Sequence, residues 1–193
     1  MSKLYLLLFC GLMPIQVAIS SAAAQNVDIE QLYQHALQLL YGDGLPQDED
    51  SALRELQQIV DQGEPARSDP NNRIFRAANY LMQYITALRE SREKKDVATQ
   101  IVTLEVLGLF FTEAGELHQN WERSAAYVKE AADLGSAQSQ LKYAGLLRIG
   151  KGVAKDLVEA RRYFEMARDN GDELVKRSAN RWLGELEKSA KQS

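Results

Sequence analysis

The segment Gly42-Asp43-Gly44-Leu45-Pro46-Gln47-Asp48 returns as Gly150-Lys151-Gly152-Val153-Ala154-Lys155-Asp156, displaced by 108 residues, or three steps of 36. The correspondence runs on past the turn: Ala52 pairs with Ala160, Leu56 with Phe164 and Gly63 with Gly171. A period in the thirties is the mark of stacked helix pairs, each burying its apolar face only against its neighbours. The predicted fold is therefore all-α, a right-handed solenoid of antiparallel helix pairs closed by a capping C-terminal helix. Composition agrees, because helix formers dominate and only four prolines interrupt 193 residues.

Three repeat units follow from the phase, at 28–63, 98–135 and 137–171, within a solenoid spanning 25–190. Asp48, Asn120 and Asp156 stand where a side chain can satisfy the first free N–H groups of a helix, and Asp156 with Glu159 reads as a capping box. Gly42 and Gly150 suit a turn with positive φ, and small Ala52, Ala160 and Gly108 suit close helix approach. Between the first two units the pattern lapses. Residues 61–73 are polar, with a glycine and two prolines. One long helix then runs over about 72–92, inside a degenerate stretch at 72–97, and a step of 36 from Gly42 lands on Ala78 with no turn. A last amphipathic helix at 173–188 caps the end.

These residues resemble the Sel-like repeat family, a branch of the tetratricopeptide-repeat superfamily. The match rests on Gly42, Gly44, Asp48, Ala52 and Gly63 in the first unit. The unit at 98–135 contributes Leu107, Gly108, Tyr127, Ala131, Ala132 and Gly135, although its turn reads Ala114-Gly115-Glu116-Leu117. Gly150, Gly152, Val153, Asp156, Ala160, Tyr163, Ala167 and Gly171 match in the unit at 137–171, where Tyr143-Ala144 replaces the family's Leu-Gly. The resemblance implies that the first helix of each pair lines a concave binding surface. It points to Gln34, Gln38, Gln138, Lys142 and Arg148 as protein contacts. It also implies a role in regulating or assembling an envelope system.

The N-terminus reads as a signal peptide over 1–24: Lys3, an apolar run from residue 4 to 19, and Ala22-Ala23-Ala24 before a mature start at Gln25. That places the mature chain in the periplasm or outside the cell, with no stable membrane span after cleavage. Cys10, the only cysteine, leaves with the signal, so no disulfide or thiolate site is expected. Charge is uneven along the chain. Residues 25–70 hold ten acids against Arg54 and Arg67, net −8, while 136–193 hold twelve bases against eight acids, net +4. Such ends permit head-to-tail self-association, but no basic face is concentrated enough for nucleic acid.

No catalytic residue, metal ligand or cofactor site is expected. His35 and His118 are far apart and outside any ligand motif; His35 falls on the packing side of the first helix and His118 in a solvated turn. The Gly-x-Gly pairs lack the strand a dinucleotide site needs. The charged run from Arg89 to Asp96 reads as a solvated helix end, and Trp121 and Trp182 as core. The function that fits is a non-catalytic adaptor binding an envelope protein or peptide. The alternative is a cell-wall- or small-ligand-binding envelope protein or enzyme, which needs a pocket built by residues 72–113.

Overall fold

The computed structural model describes residues 28–113 and 119–191, and these form eight helices and no strand. They are α1 (Ile29–Tyr41), α2 (Glu49–Asp61), α3 (Asn71–Glu93), α4 (Val97–Glu113), α5 (Trp121–Asp133), α6 (Ala137–Ile149), α7 (Leu157–Asn170) and α8 (Glu173–Ala190). Each packs mainly on the helix before and after it, with further contacts of α1 on α3 and α6 on α8. The expected all-α stack of neighbouring helices is what the chain builds. The proposed signal segment, Cys10, the turn residues Ala114–Leu117 and His118 lie outside the described residues.

A common closure explains the 36-residue phase. The backbone N–H of Asp48 donates to the Leu39 carbonyl, that of Asn120 to Phe111 and that of Asp156 to Leu147, nine residues back each time, at 2.9–3.0 Å. The same three residues cap the helices they precede, accepting from the N–H of Ser51, Arg123 and Glu159 respectively. So the turn before α5 closes like the other two, although it lacks their glycine pair. The capping box at α7 forms only in part. Asp156 accepts from Val158 and Glu159, but the Glu159 carboxylate turns to Arg162 at 2.5 and 2.9 Å, a charged donor that outcompetes a backbone N–H.

The middle stretch carries the single long helix α3. Its exit copies the exit of α5: Asp96 N–H donates to Ser91 and Ser136 N–H to Ala131, each five residues back. Lys95 (φ 55°) takes the left-handed position that Gly135 (φ 101°) takes after α5. The first unit reaches α5 directly. The Tyr41 and Tyr127 hydroxyls hydrogen-bond at 3.1 Å, and Asp43 pairs with Arg123.

Apolar burial follows this geometry. One cluster joins α1–α5 through Tyr33, Leu37, Leu56, Leu81, Leu107 and Phe111. A second joins α5–α8 through Val128, Tyr143, Tyr163, Phe164 and Leu183. Helix α5 serves both, giving Ala131 to the first and Val128 and Ala132 to the second.

Candidate functional site

Helix α4 is scarcely amphipathic. Its sequence, VATQIVTLEVLGLFFTE, is apolar nearly all round, a composition that normally means burial on every side. Leu104, Leu107 and Phe111 do enter the core. Val102 and Leu109, seven residues apart on another face, stay 59% and 41% exposed. On α6, Ile149 is 54% exposed and lies seven residues after Lys142.

Between these faces runs a slot of about 230 Å³, lined by Glu105, Gly108, Leu109, Thr112, Trp121, Ser124, Val128, Lys142 and Leu146. Gly108 forms its floor: a Cβ there would stand 2.9 Å from the Val128 Cγ2, and its carbonyl accepts from the buried Ser124 hydroxyl at 2.8 Å. Glu105 ties the two walls together. One of its carboxylate oxygens accepts from the hydroxyls of Ser136 (2.6 Å) and Ser139 (2.8 Å) at the start of α6.

A second cavity, about 220 Å³, lies among α1, the start of α2, α3 and α5, walled by Tyr41, Gln47, Ile85, Leu88, Arg92, Arg123 and Tyr127, among others. Its cations are engaged. Arg92 pairs with Glu130 at 2.5 Å, and the Arg123 guanidinium, 15% exposed, sits 4.0 Å over the Tyr41 ring while paired with Asp43. Burial first, and then Tyr127, push the Tyr41 phenol well above its ordinary value, so it stays protonated.

The residues singled out as protein contacts divide into separate places. Gln34 and Gln38 are exposed on α1, beside Asp28, Glu30 and His35. Gln138 is exposed on α6, one turn before Lys142, which is half-buried in the slot. Arg148 is not a free contact: its guanidinium lies 4.2 Å over the Trp182 ring, and its Nε is buried without a hydrogen-bond partner. The aromatic face holds the charge there, since a cation is attracted to the ring quadrupole.

The expected burial of His35 is corrected. Its side chain is 49% exposed and its Nδ1 lies 2.8 Å from a Glu55 oxygen, because Tyr33, Ala36, Leu37 and Leu40 take the inward positions of α1. The charged run at the end of α3 is largely exposed, as expected of a solvated helix end, and two of its bases also reach other helices. Arg89 pairs with Asp50 of α2 at 2.6 Å, and Arg92 with Glu130 of α5, so the run fastens α3 to its neighbours. Trp121 is half-buried at the start of α5 with the Lys151 ammonium 3.4 Å above its ring. Trp182 is half-buried against Phe164. Among the described residues no cluster of three His, Cys, Asp or Glu could hold a metal, and no helix is long and apolar enough to cross a membrane.

The remaining repeat positions are structural. Ala52, Ala160 and Ala167 are fully buried, as is Leu107. Gly42, Gly44, Gly63, Gly135, Gly150 and Gly152 have positive φ, but Gly171 does not (φ −85°). Gly171 is there for space, since a Cβ would collide with Val175 and the Ala167 carbonyl. The slot itself escaped sequence reading. Its one available signal was the apolar excess of α4.

No protein-family model and no curated protein matches the sequence. Among solved structures, the chain is similar to a Sel1 repeat protein from Oxalobacter formigenes, with 22% identity, 80% of this chain and 90% of that one covered, and a TM-score of 0.41. It is also similar to a protective antigen of uropathogenic Escherichia coli displaying an SLR fold, with 16% identity, 76% of this chain and 39% of that one covered, and a TM-score of 0.38. In the residues and spacing of its turns, the chain resembles the Sel-like repeat proteins.

Proposed function

We propose that the chain is a non-catalytic Sel-like repeat adaptor of the bacterial envelope, holding a partner protein or peptide on its helical-repeat surface. The observation that carries this reading is the apolar excess of α4: Val102 and Leu109 are left at the surface beside an open slot. Exposed apolar residues gathered at a groove are what a recognition surface has and an ordinary surface lacks. The N-terminal pattern of Lys3, an apolar run and three alanines supports a periplasmic or secreted location. The test is a crosslinking pull-down from a periplasmic fraction with the chain starting at Gln25. Enrichment of one envelope protein is expected, and a bait that captures none contradicts the adaptor.

A second reading, a small-ligand or cell-wall-binding protein, is favoured by one observation. Helix α3 supplies Ile85, Leu88 and Arg92 to the cavity of about 220 Å³. A ligand there has to displace the pairs already made by Arg92 and Arg123. Calorimetric titration with soluble cell-wall fragments checks it. Binding that Arg92→Ala abolishes supports a ligand site, and absence of heat removes it.

A further inference from the structure

We infer that the slot between α4 and α6 recognises a peptide segment of a partner protein in which an aliphatic side chain is flanked by aspartate or glutamate. This rests on the adaptor reading and names the chemistry of what it holds.

The apolar half of the preference comes from shape. Leu109, Leu146, Val128 and the floor at Gly108 make a recess of about 230 Å³ with room for an aliphatic side chain. Val102 and Ile149 are exposed apolar residues one helical turn from the lining residues Glu105 and Leu146. The floor is pre-formed, because Ser124 bonds the Gly108 carbonyl and Glu105 fastens α4 to Ser136 and Ser139. A pre-formed recess loses little order on binding.

The acidic half comes from the charges. The slot has one carboxylate and one ammonium in its lining. Glu105 already takes two hydroxyl donors on one oxygen. Lys142 has no ion pair or hydrogen bond among the described residues, whereas the neighbouring bases Arg123, Lys129 and Lys151 each engage a carboxylate or a ring. Lys142 stands at an apolar recess with no partner among the described residues, so a carboxylate delivered by the partner protein would give it an ion pair that the chain itself does not. An arriving lysine or arginine would meet Lys142 as a like charge.

Three fluorescein-labelled ten-residue peptides test this against the full chain by anisotropy. In the first, leucines alternate with aspartates. The second replaces the aspartates by lysines, and the third replaces the leucines by serines. The first is expected to bind at least about tenfold more tightly than either of the others. Lys142→Glu is expected to reverse the preference between the first two, and Leu109→Gln to weaken the first by about tenfold. Gln58→Glu, exposed on α2 and outside the slot, should change nothing. Both slot residues are partly exposed, so helicity by circular dichroism should be retained; Lys142→Gln is the milder substitute should the reversal fail to fold.

Equal binding of the lysine peptide, binding of none of the three, or an equal effect of Gln58→Glu overturns the inference. If the periplasmic pull-down still captures its partner with Lys142→Glu and Leu109→Gln together, the slot is wrong and the adaptor stands. If the peptides behave as expected but wild type captures no partner, the adaptor is wrong and the slot's chemistry stands.

Discussion

Two glycines with nearly the same φ have different consequences when replaced. Gly44 (φ 79°) and Gly152 (φ 72°) occupy the same place in their turns, yet a Cβ at Gly44 meets nothing, while one at Gly152 would overlap the Trp121 carbonyl. The difference is what each turn touches: the α6–α7 turn rests on the start of α5, and the α1–α2 turn meets nothing at Gly44 among the described residues. Gly44→Ala should therefore cost about 1 kcal/mol, the left-handed penalty alone. Gly152→Ala should cost about 3 kcal/mol or more, since the backbone must also move. Chemical denaturation of the two variants decides it, and similar losses would contradict the docking of the turn. Sequence made the glycines visible, because the left-handed turn narrows the choice of residue. It could not rank them, because the clash comes from Trp121, 31 positions earlier in another unit.

Asp133 supplies a pH-dependent contribution. Burial alone would raise its carboxyl, but Lys129 and the Tyr163 hydroxyl donate to it at 2.6 Å and hold it below its ordinary 3.8. A group depressed in the folded state stabilises above its unfolded value, and that contribution is lost as pH falls through the folded one. Tyr163→Phe should thus cost about 1 kcal/mol at pH 7, an amount discounted because Asp133 is nearly half exposed. The gap from wild type should close below about pH 4. Urea midpoints at both pH values measure it, and a gap that persists in acid would mean that the loss is one of packing.

At the scale of elements, the cap before α5 shows how repeat identity survives sequence divergence. Asn120 accepts from Arg123 N–H at 2.9 Å and closes its turn through Phe111, as Asp48 and Asp156 close theirs. Asn120→Ala should lower stability by about 1 kcal/mol, while Asn120→Asp should be nearly neutral; thermal melts of both distinguish the cap from a packing role. The phase of 36 was legible at α1–α2 and α6–α7 because two glycines and an aspartate recur there together. It was faint at α4–α5, where a backbone hydrogen bond carries the likeness, and absent at α3, a single long helix. The slot was illegible for a related reason. Its lining comes from α4, α5 and α6, and no one of these helices carries a motif for it.

For the whole molecule, nearest-neighbour packing makes damage local. Deleting α8 uncovers Ala167 and Phe164 and takes Leu183 and Leu186 from the second cluster. The truncated chain should lose amide-exchange protection in α7 and α6 while α1–α3 keep theirs; a uniform loss would mean that the eight helices unfold as one unit. The acidic charge of the first end is partly spent inside the chain, since Asp43, Glu49 and Asp50 pair with Arg123 and Arg89 of the middle stretch. Any head-to-tail association should therefore be weak and vanish at moderate salt, a point settled by sedimentation at two ionic strengths.

Photocrosslinking in the periplasm tests the surface most directly, with a photoreactive residue placed in turn at Leu109, at Ile149 and at Val158, the last 81% exposed but outside the slot. Adducts to one and the same envelope protein from Leu109 and Ile149, and none from Val158, are the predicted result. Adducts from Val158 alone, or equally from all three, would show that the slot between α4 and α6 is not where this protein meets its partner.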